Sequence, residues 1–159
     1  MGFGFNANEI LLMAEQIERN GARFYRRAAQ VCHTDEASQK ALLELAEMED
    51  AHERAFAEIR TSLGEATSTF DPEGETAAYL SAMADAHVFG PDFDPEAVAC
   101  DKSALELLRM AIQLEKESIV FYIGLRDLVP ASATASLEQI LQEEKSHVAM
   151  IRGRITALG

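Results

Sequence analysis

Residues 137–151 read LEQILQEEKSHVAMI and contain the motif Glu144-x-x-His147. Apolar residues recur along this stretch at intervals of three and four, which is the pattern of an amphipathic helix. They are Leu137, Ile140, Leu141, Val148 and Ile151. Residues three apart on a helix share a face, so the carboxyl group and the imidazole lie side by side. The stretch therefore predicts a helix that carries both polar groups on its buried face.

The same motif occurs a second time, as Glu49-x-x-His52, again among apolar residues. Each copy is preceded by another helix-like segment in which a Glu is followed seven residues later by a Tyr. The two sets are Glu18, Tyr25, Glu49 and His52, and Glu115, Tyr122, Glu144 and His147. Because corresponding members lie about a hundred positions apart, the pattern indicates an internal duplication of a helical hairpin.

The four glutamates of these sets occupy positions where core residues are expected, and unpaired buried carboxylates are very costly. Bound cations that together carry about four positive charges would balance them. Mixed carboxylate and imidazole ligands suit iron or manganese, and zinc also accepts them. The sequence thus predicts a site for two iron ions, with manganese or zinc as substitutes; the alternative is a buried hydrogen-bonded polar network. The predicted ligands are Glu18, Glu49, His52, Glu115, Glu144 and His147.

Length and composition predict a single globular domain over residues 1–159, since 48% of the residues are hydrophobic. A formal charge of −13 argues against binding to nucleic acid or to anionic membranes. The chain has neither an apolar run of about 20 residues nor a signal-peptide pattern, so we expect a cytoplasmic protein. The two cysteines, Cys32 and Cys100, form no Cys-x-x-Cys motif and cannot build a four-cysteine iron centre.

Hydrophobic periodicity predicts four long helices joined in two hairpins. Their expected ranges are residues 8–31, 35–62, 101–128 and 133 to near the end of the chain. Short connections join the first to the second and the third to the fourth, which makes each pair antiparallel. Residues 63–100 form a long crossover between the hairpins, and residues 75–86 within it read as a short extra helix. Such a crossover lets the third long helix run parallel to the second.

On these residues the chain resembles the ferritin-like di-iron carboxylate proteins, and among them a rubrerythrin without its rubredoxin module. The resemblance covers the four long helices and rests on the two Glu-x-x-His motifs with their partner glutamates. It implies an all-α, ferritin-like four-helix bundle of two hairpins with a long crossover. It also implies that Glu49 and Glu144 bridge two iron ions, that Glu18 and His52 complete one site, and that Glu115 and His147 complete the other.

The chain departs from the rubrerythrin pattern at two points. Rubrerythrins typically carry one more Glu, one turn along the third helix, whereas Ile112 and Ser118 stand one turn either side of Glu115 here. The expected ligand set is therefore symmetric. A full rubrerythrin also brings its own four-cysteine iron, so this chain is expected to need an external electron donor such as a rubredoxin-like protein.

Four residues near the predicted ligands are candidates for a further role at the site. One interpretation of Tyr25 and Tyr122 is that they are hydrogen-bond donors or redox-active phenols near the metals. The other, which we favour over any direct chemical role, is that they are core residues. Glu15 is an additional ligand or entry-route acid, or, as we expect, a solvated acid of the first helix. Glu143 is predicted to orient a ligating imidazole, as carboxylates near metal sites often do.

Together these features predict a cytoplasmic, homodimeric non-haem di-iron protein that reduces hydrogen peroxide or dioxygen, an oxidoreductase of the peroxidase or ferroxidase type. Two alternatives remain open at this point. The same six ligands can serve an iron-binding or iron-delivery protein without turnover, or a structural helical dimer with an inert metal pair.

Overall fold

The computed structural model describes residues 7–31, 35–63, 74–86, 92–99 and 101–159. Within these ranges the chain forms six α-helices, one short 3₁₀ turn and no strand. The helices are α1 (Ala7–Val31), α2 (Glu36–Leu63), α3 (Glu75–Ala86), α4 (Pro95–Ala99), α5 (Ala104–Leu125) and α6 (Thr134–Leu158), with the 3₁₀ turn at Ala131–Ala133 before α6. The predicted all-α fold is confirmed. Cys32 and Cys100 lie outside the described residues.

The four long helices α1, α2, α5 and α6 form the bundle, and side-chain contacts give their directions. Arg19 pairs with Glu53 and Glu15 with Arg60, so α1 and α2 are antiparallel. Contacts across the bundle show the same for α1 and α5, because Tyr25 meets Glu115 while Tyr122 meets Glu18. Helix α5 therefore runs parallel to α2, as the long crossover predicted.

The described part of the crossover contains two helices rather than the one predicted. The predicted helix is observed as α3, and it packs on the bundle through Leu80, which is fully buried. Gly124 of α5 permits this approach, because a Cβ at that position would lie 2.5 Å from Leu80 Cδ2. The five-residue helix α4 was not predicted, because so short a segment carries no readable periodicity.

Helix α5 begins three residues later than predicted, at Ala104 instead of Asp101. Ser103 caps it by accepting a hydrogen bond from the Glu106 backbone amide, and the Glu106 side chain accepts one from the Ser103 amide. Asp101 has a φ of 60°, in the left-handed region that ends regular helix. The Ser103-x-x-Glu106 capping box was readable in the sequence and marks the true start.

The interior of the bundle is apolar above and below a central polar layer. Fully buried aromatic residues from three helices pack around this layer, and they are Phe24, Tyr25, Phe56, Phe121 and Tyr122. This packing keeps bulk water away from the polar groups at the centre. Among the described helices, none combines the length and the apolar character that crossing a bilayer requires.

Candidate metal centre

The six predicted ligands converge at the centre of the bundle, and each of the four long helices contributes at least one of them. None has more than 5% of its surface exposed. Helix α1 supplies Glu18, α2 supplies Glu49 and His52, α5 supplies Glu115, and α6 supplies Glu144 and His147. The antiparallel hairpins bring the two Glu-x-x-His motifs face to face, as the duplication in the sequence indicated.

Both imidazoles direct Nδ1 at the carboxyl groups. His52 Nδ1 lies 2.9 Å from Glu144 Oε1 and 3.6 Å from Glu18 Oε2. His147 Nδ1 lies 3.2 Å from Glu49 Oε1 and 3.4 Å from Glu115 Oε2. The imidazole rings stack with their centroids 5.3 Å apart. Each imidazole thus faces the Glu of the opposite Glu-x-x-His motif and one further Glu.

Glu144 extends toward both imidazoles, with its second oxygen Oε2 3.3 Å from His147 Nδ1. Four side chains can each offer one ligand atom, and these four atoms lie within 4.8 Å of one another. The four are Glu49, His52, Glu144 and His147. This compact group could hold a metal ion, and Glu18 and Glu115 flank it on either side.

Several buried atoms of this cluster have no hydrogen-bond partner among the described residues. They are Glu18 Oε2, Glu49 Oε1, both oxygens of Glu144, Nδ1 of His52, and Nδ1 and Nε2 of His147. Leaving so many buried polar atoms unsatisfied is costly for a folded protein. All but one of these atoms are oxygens or Nδ1 nitrogens that face the common centre, so the donor set fits divalent metal ions.

The carboxyl groups differ in their affinity for protons. Burial raises the pKa of Glu49 well above its usual value, and the neighbouring Glu18 and Glu144 raise it further. Burial and then Glu144 raise the pKa of Glu115 in the same way. At Glu144 burial also acts upward, but the close polar groups of Glu115, His147 and His52 outweigh it and lower the pKa. Glu49 and Glu115 therefore hold protons more strongly than Glu144 does.

The imidazoles also hold their protons strongly. Burial lowers the pKa of His52, but the close carboxyl groups of Glu144 and Glu18 outweigh it and raise the pKa to about 11. At His147 burial again acts downward, and the close carboxyl groups of Glu115 and Glu144 raise the pKa to about 9. A metal ion that binds Nδ1 must displace these protons, so metal binding and proton binding compete at this site.

The two tyrosines hold the outer glutamates from the opposite hairpin. The Tyr25 hydroxyl donates to Glu115 Oε1, and the Tyr122 hydroxyl donates to Glu18 Oε1. Burial raises the pKa of both phenols well above 10, and the carboxyl group that each contacts acts in the same direction. Each phenol therefore keeps its proton, packs in the core and also donates a hydrogen bond to a predicted ligand.

Replacing Tyr122 by Phe is expected to lower the free energy of unfolding by about 1.5–3 kcal/mol, because a buried carboxyl oxygen loses its donor. Urea denaturation followed by circular dichroism measures this change. Tyr79→Phe is the matched control, since Tyr79 is 52% exposed. Loss of its hydroxyl group should lower the free energy of unfolding by less than about 0.5 kcal/mol. Equal stability of the two variants would show that the Tyr122 hydrogen bond contributes nothing.

Glu143 contacts one of the imidazoles, as predicted. His52 Nε2 lies 2.8 Å from Glu143 Oε2, and Gln139 donates to the other oxygen of Glu143 at 3.0 Å. Hydrogen bonds from Gln139 and His52 lower the pKa of Glu143, so this carboxylate is charged and accepts the Nε2 proton. The contact orients His52 with Nδ1 toward the centre.

The expectation that Glu15 is solvated was wrong. Glu15 is only 6% exposed and pairs with Arg60 of α2 through both guanidinium nitrogens Nε and Nη2. A buried carboxylate needs such a partner. No spacing in the sequence indicated Arg60, because the pair joins two helices and depends on how they pack.

Comparisons with known proteins agree with this architecture. The sequence matches the rubrerythrin family over residues 9–154. A crystal structure from Thermotoga maritima, described as a ferritin-like diiron-carboxylate protein, superposes with a TM-score of 0.72 at 26% sequence identity, and the alignment covers 100% of both chains. No curated protein matches the chain. The family match extends over all four long helices and all six clustered side chains, and the chain therefore belongs to the rubrerythrin family.

Proposed function

We propose that the chain is a single-domain, non-haem di-iron protein that reduces hydrogen peroxide or dioxygen with electrons from an external donor. The proposed ligands are Glu18, Glu49, His52, Glu115, Glu144 and His147, with Glu49 and Glu144 shared between the two ions. The observation that carries the proposal is the group of buried carboxyl oxygens and imidazole Nδ1 atoms that face one centre and have no hydrogen-bond partner in the part of the chain that the structure describes. Membership of a di-iron family supports iron over manganese or zinc.

The side chains suit a redox site for three physical reasons. Four carboxylates balance the charge of two divalent ions, so little net charge has to be buried. The donated hydrogen bonds of Tyr25 and Tyr122 fix the outer carboxylates, Glu115 and Glu18. The aromatic packing around the layer excludes water, which strengthens the interactions inside. Two iron ions, when bound, supply the two electrons that convert hydrogen peroxide and two protons into two water molecules.

An external donor is part of the proposal because the chain cannot carry its own cysteine-bound iron. Only two cysteines occur in the whole sequence, whereas such a centre takes four thiolates. A rubredoxin-like protein would supply that centre from outside. A homodimer and a cytoplasmic location complete the proposal, and light scattering and cell fractionation test them.

Stopped-flow oxidation of the anaerobically loaded ferrous protein tests the activity. Oxidation by hydrogen peroxide or dioxygen should be much faster than that of free Fe(II), because the paired site delivers both electrons to one oxidant. It should then stop after one turnover until a reduced rubredoxin-like donor is added.

Two variants make the test specific. Glu49→Ala should oxidise no faster than free Fe(II), while Glu47→Ala should match the wild type, since Glu47 is an exposed acid on the same helix. If the wild type were no faster than Glu49→Ala, redox catalysis would be refuted and a non-catalytic iron-binding or structural role would take its place.

A further inference from the structure

The two halves of the candidate metal centre are related by an approximate two-fold axis. Tyr25 donates to Glu115 as Tyr122 donates to Glu18. His52 Nδ1 faces Glu144 as His147 Nδ1 faces Glu49. We call Glu18 with His52 the His52 half, and Glu115 with His147 the His147 half. In these contacts each half repeats the other.

The relation fails at Glu144, which also lies 3.3 Å from His147 Nδ1 of its own motif, and at the outer nitrogen of the imidazoles. His52 Nε2 contacts Glu143, the residue that precedes Glu144 in the opposite motif. The corresponding residue, which precedes Glu49, is Met48. A thioether is at most a weak acceptor. Accordingly, His147 Nε2 is buried and has no hydrogen-bond partner among the described residues.

This difference acts directly on the atoms proposed to bind metal. A neutral imidazole carries its proton on one nitrogen, and an acceptor at Nε2 holds the proton there and leaves the Nδ1 lone pair free for a metal ion. Glu143 provides this acceptor to His52, and Gln139 keeps Glu143 in place. The Glu143 carboxylate also adds a negative charge near the His52 half only. His147 binding metal through Nδ1 would leave a buried N–H unsatisfied, which is unfavourable.

We propose that the two metal positions are unequal and that the His52 half binds its ion first and more tightly, with Glu143 as its positioning residue. The inference rests on the ligand assignment proposed above. Loss of a carboxylate that orients a metal-binding histidine typically weakens metal binding by about 10- to 100-fold, and the two halves should differ by a factor in this range.

The test follows the histidine nitrogens by NMR in protein labelled with [¹⁵N]histidine, during anaerobic titration with Zn(II) as a diamagnetic probe. The chain has four histidines, so His52→Gln and His147→Gln variants serve to assign the signals. At one equivalent of Zn(II), the Nδ1 signal of His52 should shift to its bound position while most of the His147 signal remains unshifted. Calorimetry on the same samples gives the two binding constants.

Exchanging the two outer residues should reverse the order. Glu143→Met removes the acceptor and should weaken the first binding step by about 10- to 100-fold. Met48→Glu should strengthen binding at the His147 half. In the double variant Glu143→Met/Met48→Glu, the signal of His147 should shift first. Glu143→Gln retains a neutral acceptor, so the His52 half should still bind its ion first, but with a smaller preference over the His147 half. This variant replaces Glu143→Met if Glu143→Met does not fold.

Glu47→Met is the matched control, because it also replaces an acid by Met but at an exposed position beside Met48. It should retain the wild-type order. Equal shifts of both imidazoles at one equivalent in the wild type would overturn the inference, as would His52 filling first in the double variant. Failure of the wild type to bind two ions would instead refute the proposed ligand assignment, so the two outcomes are distinguishable.

Discussion

Glu144→Ala is expected to bind neither metal ion, so that metal content falls from about two ions per chain to near zero. Both oxygens of Glu144 are buried without a hydrogen-bond partner among the described residues. Oε1 lies 2.9 Å from His52 Nδ1, and Oε2 lies 3.3 Å from His147 Nδ1. A carboxylate in this position serves both proposed ions, and its loss also leaves their charge unbalanced. Elemental analysis after anaerobic loading and desalting measures the result.

Three further variants sharpen this prediction. Glu49→Ala should have the same effect because Glu49 is the second proposed bridging ligand, whereas Glu18→Ala should remove mainly one ion, because Glu18 is proposed to complete only the position at His52. Glu138→Ala is the control on the same helix as Glu144, since Glu138 forms a surface ion pair with Arg126; it should retain full metal content. Wild-type metal content in both Glu49→Ala and Glu144→Ala would exclude the proposed bridging roles.

Removal of metal is expected to lower the melting temperature by about 15–30 °C. Each ion present at a thousand times its dissociation constant adds about 4 kcal/mol to the free energy of unfolding, so two ions add about 8 kcal/mol. For a domain of this size, each kcal/mol corresponds to about 2–4 °C. Thermal denaturation with Fe(II) under anaerobic conditions, and again with a chelator, measures the difference.

The metal-free protein should also lose stability as the pH rises from about 6.5 to about 9. In this window His52 and His147 hold protons in the folded state, with pKa values of about 11 and about 9, and release them on unfolding. The folded state then binds more protons than the unfolded state, so the free energy of unfolding falls with pH, by up to about 1.4 kcal/mol per pH unit for each imidazole.

Two measurements check the sign and the origin of this slope. Chelator-treated protein should melt at a lower temperature at pH 9 than at pH 6.5, and His147→Gln should show a shallower slope than the wild type, since one of the imidazoles that hold protons is removed. Metal affinity should change in the opposite direction, because protons compete less at high pH. A melting temperature of the metal-free protein that is constant or rises across this window would contradict the proton-holding role of the imidazoles.

The sequence by itself determined the fold class and the six clustered side chains. The helix repeat fixes which residues share a face, so Glu49 with His52 and Glu144 with His147 were readable as pairs from their spacing alone. The duplication indicated that two such pairs face each other, and residues 9–154 match a family with this architecture. The short helix Pro95–Ala99 escaped prediction because its five residues are far fewer than the roughly 11–18 over which helical periodicity can be recognised.

Only the tertiary structure decided which ligand each of the neighbouring residues contacts. Tyr25 donates to Glu115, 90 residues away, and Glu143 contacts His52, 91 residues away. Glu15 is buried because Arg60 of the neighbouring helix pairs with it. These partners come from different helices, and their meeting depends on the rotation and axial position at which the helices pack. Helical periodicity specifies the inward face of each helix but not its register against a neighbour, so such contacts, and the difference between Glu143 and Met48, become visible only in the assembled bundle.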